Sequence, residues 1–494
     1  MTTPVQKIVI VGRDAPLWLA AVLLHGALAA TGIAVVVVEL PSRTAPGTVY
    51  ASLPPLEALH NRIGIDEANL LKSTGGSFSL GWNVVPLAPG KPYFLAHGSY
   101  GAPIDGFLFF PHWVKAGQFG LDVAFEDFCP TAMAARQGRV LFPDAETEGF
   151  GSTNYGYHLP AMHYAALLKS AACSAGIENH QTLSLEIERD GELISAVRVD
   201  GGARIAGDLF IDASGSERLL AAGQPGRHFE KCDVAADRRL AARGPRFSSL
   251  PVYSEVRLVD DGYVTLHAAQ AGTEIGFSYR SDLLTDDRAL AAATAAAGTA
   301  LSDARIETIA AGVDGQPWTG NCIAIGAAAC RIEPLFDLEL HIVQLGLVHL
   351  LSMIPTHSAF AIERAEYNRI LGSSLARLRD LPALFFALAK RQRPFWTAAR
   401  AMEPGASVAH RIATFAARGE IPPLENESFP LDFWQALVTG HGLTPSSWSP
   451  LVDRVPMDRL SHEFRSMLAF IKRKVLEQPT HDEYLAGLGG AVAA

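Results

Sequence analysis

The first forty residues carry short apolar runs whose spacing predicts a strand, a helix and a second strand. Residues 7–12 form a β-branched run that ends at Gly12, which is typical of a buried strand. Residues 15–30 predict a helix, and residues 33–40 predict a second buried strand that carries Glu39 near its end. This order is typical of a βαβ dinucleotide-binding unit, in which an acidic residue about 20 positions after the first turn contacts a ribose.

An uncharged run at 18–38 is long enough to be considered as a membrane span. Thr31 and Gly32 interrupt it, and the residues that follow are β-branched and strand-like. A buried helix followed by a buried strand produces the same hydropathy. We therefore expect no membrane span here.

The turn after the first strand has lost most of the glycines of a phosphate-binding turn. In the pattern G-x-G-x-x-G, the glycines permit a tight bend, close approach of the backbone to a pyrophosphate and packing of the helix on the strand. Gly12 is retained, whereas Asp14 and Leu17 occupy the second and third glycine positions. We expect Asp14 to cap the helix and to repel a pyrophosphate. The alternative is that Arg13 offsets the charge of Asp14 and a nucleotide still binds.

The rest of the pattern indicates a large body and a helical tail. The further predicted elements are a helix at 157–172, paired strands at 182–200, a strand at 206–215, a sheet at 252–279, a strand at 321–326 and a core helix at 341–354. We predict a body over residues 1–360, with a Rossmann βαβ unit at 1–45 and sheet segments within 75–320. A helical C-terminal lobe is predicted over residues 361–494.

The composition of the chain limits the kinds of partner that we expect and the cellular compartment in which we expect the protein. The chain has 494 residues, of which 49% are hydrophobic and 19% charged, and this balance predicts a large packed core. The net charge is −10, and no basic run exceeds Lys472-Arg473-Lys474, so we expect no nucleic-acid partner. The five cysteines lie far apart without C-x-x-C spacing, and the first residues show no secretion signal. We therefore predict no metal site and a reducing, cytoplasmic setting.

Eight segments along nearly the whole chain carry a resemblance to one family. Residues 77–81, S-F-S-L-G, resemble the family's T-F-K-L-G, and residues 208–215, D-L-F-I-D-A-S-G, resemble its D-L-F-I-D-C-S-G. Residues 321–339 resemble N-C-V-A-I-G followed by E-P-L-E-S-T-G. The other five segments are 48–54, 64–67, 157–159, 431–450 and 479–484. Together these segments resemble the flavin-dependent tryptophan halogenases.

The resemblance implies an α/β protein with α+β lobes. The implied architecture is a flavin monooxygenase-like FAD-binding fold with a β-sheet in the substrate lobe and a helical C-terminal lobe. The implied cofactor is FAD, and the positions that would bind it, in degenerate form, are Gly12, Arg13, Asp14, Glu39, Asp212 and Gly326.

The same resemblance places the family's chemistry on unsuitable side chains. In the family, reduced FAD reacts with O₂, a halide attacks the peroxide, and hypohalous acid reaches a lysine beside the substrate. The lysine position is Ser79 here, and the position of the catalytic glutamate is Phe336. The halide lies beside a Thr-Gly pair that corresponds to Leu338 and Glu339. A serine carries no positive charge, a phenylalanine cannot balance charge, and a carboxylate opposes an anion.

Because these losses fall on an otherwise retained scaffold, we predict a pseudoenzyme that retains no catalytic residue. FAD binding is predicted to be weak or lost. The protein would act by binding, and an active halogenase homologue is a candidate partner.

Two alternatives stay open on the sequence. One is an active FAD-dependent halogenase or monooxygenase that converts an indole, aryl or peptide substrate, with candidate acids and bases Glu333, Glu339, His341 and His158. The other is a binder of an aromatic small molecule in a cleft, with candidate wall residues Trp82, Trp113, Phe109 and Phe110.

Overall fold

The computed structural model of the protein describes residues 4–87, 90–149, 151–224, 227–355 and 357–490. The strands are β1 Lys7–Gly12, β2 Ala34–Glu39, β3 Val49–Ala51, β4 Ser77–Ser79, β5 Gly81–Val85, β6 Tyr93–Ala96, β7 Gly156–Pro160, β8 Glu178–Gln181, β9 Leu185–Asp190, β10 Leu193–Val199, β11 Arg204–Ala206, β12 Leu209–Ala213, β13 Phe229–Lys231, β14 Arg238–Gly244, β15 Ser254–Val259, β16 Gly262–Ala269, β17 Gly272–Tyr279, β18 Ser302–Thr308, β19 Gly312–Asp314, β20 Trp318–Thr319, β21 Cys322–Ala324 and β22 Cys330–Arg331.

The α-helices are α1 Asp14–Leu28, α2 Pro55–Arg62, α3 Glu67–Thr74, α4 Phe109–Gln118, α5 Pro130–Arg136, α6 Ala145–Glu148, α7 Ala161–Ser174, α8 Asp286–Ala297, α9 Glu339–Ser352, α10 Ala361–Ala387, α11 Pro394–Ala401, α12 Ala406–Arg418, α13 Leu431–Gly440, α14 Met457–Leu476 and α15 His481–Gly490.

The predicted βαβ unit forms the centre of a six-stranded sheet with the order β20-β21-β12-β1-β2-β8. All neighbours in it are parallel except β20 and β21. The central strands are apolar along their whole length because both faces of the sheet are covered. On one face, α1 packs against α7. The uncharged run at 18–38 folds as most of α1, a turn and β2, as predicted. None of the described helices is long and apolar enough to span a bilayer.

A second, seven-stranded sheet has the order β18-β14-β17-β16-β15-β5-β6 and contains the predicted sheet at 252–279. The predicted strand pair at 182–200 is the antiparallel hairpin of β9 and β10, in which Leu193 pairs with Asp190. The helix prediction at 157–172 is wrong at its start. Residues 157–159 form β7, which pairs with β3 and β4, and α7 begins only after Pro160.

From Ala361 onward the described chain is helical, in α10 to α15. The largest hydrophobic core nevertheless includes residues on both sides of the predicted boundary, among them Trp82 on β5 and Phe385 on α10. The division at residue 360 therefore stays a prediction. Residues 491–494, the last four of the predicted C-terminal lobe, lie outside the described ranges.

Gly12 has a packing reason that is independent of any nucleotide. A Cβ atom at this position would lie 2.4 Å from the carbonyl oxygen of Ala213, at the end of the neighbouring strand β12. We predict that Gly12→Ala lowers the free energy of unfolding by about 1–3 kcal/mol, because the two strand ends must separate. Urea unfolding followed by circular dichroism measures this change.

The matched control for that variant is Gly26→Ala, because Gly26 lies on the exposed side of α1 with nothing within 4 Å of an added Cβ. This control is expected to be neutral or to stabilise by up to about 1 kcal/mol. An unchanged unfolding midpoint for Gly12→Ala would contradict the packing argument.

Candidate functional site

Two adjoining cavities lie between the carboxyl ends of β1 and β12 and the seven-stranded sheet. Their volumes are about 250 Å³ and about 280 Å³, and Arg239, Asp337 and Glu339 line both. Ligands of open α/β sheets bind outside the carboxyl ends of the strands, so this is the candidate site. The charged residues that line the first cavity are Arg13, Arg43, Arg239, Arg305, Asp14, Glu274, Glu307, Asp337 and Glu339.

The phosphate turn differs from its predicted geometry. The expectation that Asp14 caps α1 is wrong, because Arg13 is the capping residue and its side chain makes no capping hydrogen bond. Asp14 is the first helical residue and has a left-handed φ of 57°. Its carboxylate accepts hydrogen bonds from the Ser42 hydroxyl (2.5 Å) and the Arg43 backbone N–H (3.2 Å). The Asp14 side chain therefore ties the turn to the loop after β2.

A second contact joins three loops at the same edge of the sheet. The Glu217 carboxylate lies between two guanidinium groups, 2.6 Å from Nη2 of Arg13 and 2.5 Å from Nη2 of Arg43. These residues follow β12, β1 and β2. We call this arrangement the Glu217 bridge. The Arg13 side chain is only 9% exposed, and its Nε and Nη1 atoms have no hydrogen-bond partner among the described residues.

The other predicted cofactor residues are held by protein partners. Both carboxylate oxygens of Glu39 accept from Lys169 Nζ at 2.7 Å, and Oε2 also accepts from Asn179 and Gln181. Burial alone would raise the pKa of Glu39, but these donors hold the pKa below its usual value. Glu39 thus has an internal partner in place of a ribose.

Asp212 and Gly326 have structural roles. The buried Asp212 carboxylate accepts from the backbone N–H groups of Ser214, Leu220 and Ala221 and so fixes the loop after β12. Gly326 has a φ of 57°, and a Cβ there would lie 2.7 Å from Val343 on α9. The residue types at both positions are therefore explained by hydrogen bonds and packing within the protein, without a cofactor.

Arg239 organises the floor of the cavities. Its Nη1 lies 2.8 Å from Oδ1 of Asp337, and its Nη2 lies 3.5 Å from Oε1 of Glu274. Glu274 also accepts the backbone N–H of Val49, and Asp337 pairs with His267 Nε2 at 2.5 Å. All three members of the central pairs are at most 11% exposed in their side chains. The buried guanidinium of Arg239 therefore joins the seven-stranded sheet to the loop before α9, and Glu274 extends this link to the short strand β3, which we call the strap.

Burial and the charges around Arg239 shift the pKa values of the neighbouring carboxyl groups. Burial would raise the pKa of Asp337, but Arg239 and His267 hold it well below its usual range. Burial raises the pKa of Glu274. Asp337 also has a left-handed φ of 47°, a costly conformation for a residue other than glycine. The contacts of its carboxylate with Arg239 and His267 help to hold Asp337 in this backbone conformation.

The residues predicted at the positions of the family's lysine and glutamate, Ser79 and Phe336, are both buried. Ser79 is buried at the end of β4, and its hydroxyl donates to the Gly81 carbonyl at 3.4 Å. Phe336 is 2% exposed and lies with its ring 5.4 Å from Trp82 and 5.8 Å from Phe385. Phe336, Trp82 and Phe385 belong to an aromatic cluster that also includes Phe429 and Phe433.

The two residues predicted at the halide position, Leu338 and Glu339, lie at the start of a helix. Leu338 is the buried N-cap residue of α9, and Glu339 is its first helical residue. Glu339 is exposed and lines the cavity, whose walls displace part of the bulk water around its carboxyl group. Burial and the nearby Asp337 charge raise the pKa of Glu339 to about 7. A carboxylate at a helix N-terminus is favourable for the helix and unfavourable for a second anion.

The predicted aromatic wall of the cleft does not form as expected. Trp82, Phe109 and Phe110 are at most 3% exposed. Phe109 packs on Phe128 and Phe464, and Phe110 packs on Phe125. Trp113 is half-buried, and its Nε1–H donates to the Val123 carbonyl at 2.8 Å. Trp82 on β5 and Phe109 and Phe110 on α4 are therefore core residues, and Trp113 packs against the same core while partly exposed.

The four candidate acids and bases differ in the direction of their pKa shifts: the two histidines have lowered values and the two glutamates have raised values. Burial lowers the pKa of His341 to about 4 and the pKa of His158 well below its usual value, so both imidazoles are neutral. Burial raises the pKa of Glu333 to about 7, although Tyr263 and two backbone N–H groups donate to its carboxylate. Glu333 and Glu339 are therefore the carboxyl groups here that titrate near neutrality.

Sequence reasoning missed Glu217 and Arg239. Glu217 lies two residues beyond the motif at 208–215, so its position beside the turn was a usable signal. The sequence around Arg239 gave no such signal, because its partner Asp337 is 98 residues away. The described part of the chain contains no group of three His, Cys, Asp or Glu side chains arranged to hold a metal ion.

We predict that Arg239→Met lowers the free energy of unfolding by about 3–5 kcal/mol, because two buried carboxylates lose their counter-charge. The matched control is Arg238→Met. Arg238 is the preceding residue, is 30% exposed and lies 3.9 Å from Asp237, so a change of at most about 1 kcal/mol is expected. Urea unfolding of both variants measures the difference, and equal losses would contradict the role given to Arg239.

Comparisons with known proteins agree on one family. The tryptophan halogenase family model matches residues 7–457. The chain is 24% identical to the tryptophan 6-halogenase ThaL of Streptomyces albogriseolus, over 99% of this chain and 100% of that protein. It is 22% identical to the tryptophan 7-halogenase RebH of Lentzea aerocolonigenes, over 92% and 93%.

Solved structures give the same result for the fold. The flavin-dependent halogenase BrvH from Brevundimonas sp. BAL3 superposes with a TM-score of 0.92 at 24% identity, covering 98% of this chain and 99% of that one. Xcc4156, a flavin-dependent halogenase from Xanthomonas campestris, has a TM-score of 0.92 at 26% identity, with 98% of each chain covered. The resemblance and the fold class inferred from the sequence are confirmed, and the chain belongs to the tryptophan halogenase family.

Proposed function

We propose that this family member does not halogenate and acts instead as a non-catalytic binding protein. The observation that supports the proposal is the packing of Phe336, predicted at the position of the family's glutamate, against Trp82 and Phe385. An aromatic ring can neither accept a proton nor stabilise a positive charge by hydrogen bonding. At the lysine position, the buried hydroxyl of Ser79 cannot form a haloamine.

The halide position supports the same conclusion. Glu339 lies at the start of α9, where backbone N–H groups would otherwise attract an anion. Asp337 is two residues away and stays ionised beside Arg239. A halide at this place would face at least one full negative charge at close range.

The proposal includes weak or lost FAD binding. FAD, when bound, would supply redox chemistry, and the fold anchors such a cofactor through its ribose and pyrophosphate. Here the Asp14 carboxylate lies at the turn after β1 and accepts a hydrogen bond from Ser42, and Glu39 is already paired with Lys169. These residues do not fit the cofactor's anionic and ribose groups.

The proposed role is that of a partner subunit, with an active halogenase homologue as the candidate partner. The retained family fold supports this, because a folded scaffold without the chemistry can still present a surface to a partner. A reducing, cytoplasmic setting fits the five free cysteines. Purification of the chain without any homologue from its native host would count against this part.

One observation favours a second candidate, an oxidoreductase that keeps FAD and converts an aromatic substrate by another reaction. Glu339 lines the cavity with a pKa near 7, which suits a general acid or base. The binder of aromatic small molecules gains no such support, because three of its four wall residues lie in the core.

A halogenation assay tests the proposal. The purified chain is incubated with FAD, a flavin reductase, NADH, O₂ and bromide, and with L-tryptophan, indole or a tryptophan-containing peptide. The tryptophan 6-halogenase ThaL, assayed in parallel, is the positive control. We predict no brominated product above the protein-free reaction, as measured by the bromine isotope pattern in mass spectra.

Brominated product above that background would overturn the proposal. A hydroxylated or otherwise oxidised product that requires the protein and loses its pH dependence in Glu339→Gln would favour the second candidate.

A further inference from the structure

We propose that the Glu217 bridge is an internal anion that closes a diphosphate-binding site formed by Arg13 and Arg43. This inference rests on the proposed loss of cofactor binding and names the contact that produces it. The site would accept a small diphosphate-bearing ligand when the Glu217 carboxylate is displaced.

The position of the bridge supports an anion site. Arg13, Arg43 and Glu217 follow three adjacent parallel strands, β1, β2 and β12, at their carboxyl ends. This is the crevice in which phosphate groups bind in open α/β sheets. The N-terminus of the 15-residue helix α1 lies beside it and receives no capping hydrogen bond from the Arg13 side chain.

An independent observation shows that Arg13 has unused binding capacity. Its side chain is 91% buried, yet only Nη2 has a hydrogen-bond partner, which is Glu217. Nε and Nη1 are buried without partners, and buried charged donors without acceptors are rare and costly. A diphosphate offers more acceptor atoms than one carboxylate, so it could satisfy donors that Glu217 leaves free.

Charge and accessibility allow an exchange. The Arg43 side chain is 63% exposed and Glu217 is 28% exposed, so both can swing towards solvent. The tethered carboxylate competes with an effective concentration on the order of millimolar or higher. Removal of its charge, with its shape retained, should therefore reveal the affinity of the two arginines for a free anion.

The test is a calorimetric titration of the full chain with inorganic pyrophosphate. We predict that Glu217→Gln binds pyrophosphate at least about tenfold more tightly than the unmodified protein, which corresponds to about 1.4 kcal/mol. Adding Arg43→Met to Glu217→Gln should abolish the gain. The gain should also weaken as salt increases, because the interaction is ionic.

Glu188→Gln is a closely matched control. The Glu188 carboxylate also joins two arginines, Arg198 and Arg204, and is 29% exposed, but it lies on the β9–β10 hairpin away from the crevice. This variant should bind pyrophosphate no better than the unmodified protein. An equal gain in Glu188→Gln would show a general charge effect and overturn the inference.

Folded Glu217→Gln that binds pyrophosphate no better than the unmodified protein would also overturn it. If that variant does not fold, Glu217→Asp replaces it, because the shorter side chain cannot span both arginines and an intermediate gain is expected. ADP and FAD are titrated in parallel. A gain with FAD alone would assign the binding to flavin contacts and contradict the inference, whereas tight FAD binding by the unmodified chain would contradict the proposed function.

Discussion

The pairing of one buried guanidinium with two carboxylates holds the centre of this molecule together. Arg239 extends from the seven-stranded sheet to Asp337 before α9 and to Glu274, which in turn accepts the backbone N–H of Val49 in the strap β3. A buried ion pair is costly to break, because each remaining charge is left without compensation. This cluster therefore fixes the shape of both cavities and fills their floor with charges that neutralise one another.

A similar internal pairing occurs at several other positions around the candidate site. Phe336 has aromatic neighbours, Glu39 has Lys169, Asp14 has Ser42, and Glu217 has two arginines. A polar group with partners inside the protein has less to gain from a cofactor or halide. The departures from the family pattern thus form a self-consistent site rather than scattered damage, and this consistency is the physical basis for proposing a binding role.

The sequence predicted the parts of the fold that depend on local pattern. The strand–helix–strand order of β1, α1 and β2 follows from continuous apolar runs, and the β9–β10 hairpin follows from Asp190 and Gly191. The start of α7 was wrong, because the pairing of residues 157–159 with two distant strands outweighed their helical spacing. The pairing of Arg239 was beyond reach, because Arg239 and Asp337 are 98 residues apart and only the fold brings them together. Glu217 lies beside a recognisable motif, but its pairing with Arg13, 204 residues away, also depends on the fold.

The central claim is that the cofactor's anchor points are already occupied by the protein itself. The most direct measurement is a calorimetric titration of the unmodified chain with oxidised and with reduced FAD, together with the visible absorbance of the chain as isolated. The account predicts no flavin absorbance and no saturable heat at FAD concentrations up to about 1 mM, where even a Kd of 1 mM would half-fill the site. Saturable micromolar binding of either form would contradict it, because Arg13 and the remaining cleft would then bind the cofactor despite Glu217, Asp14 and the pairing of Glu39.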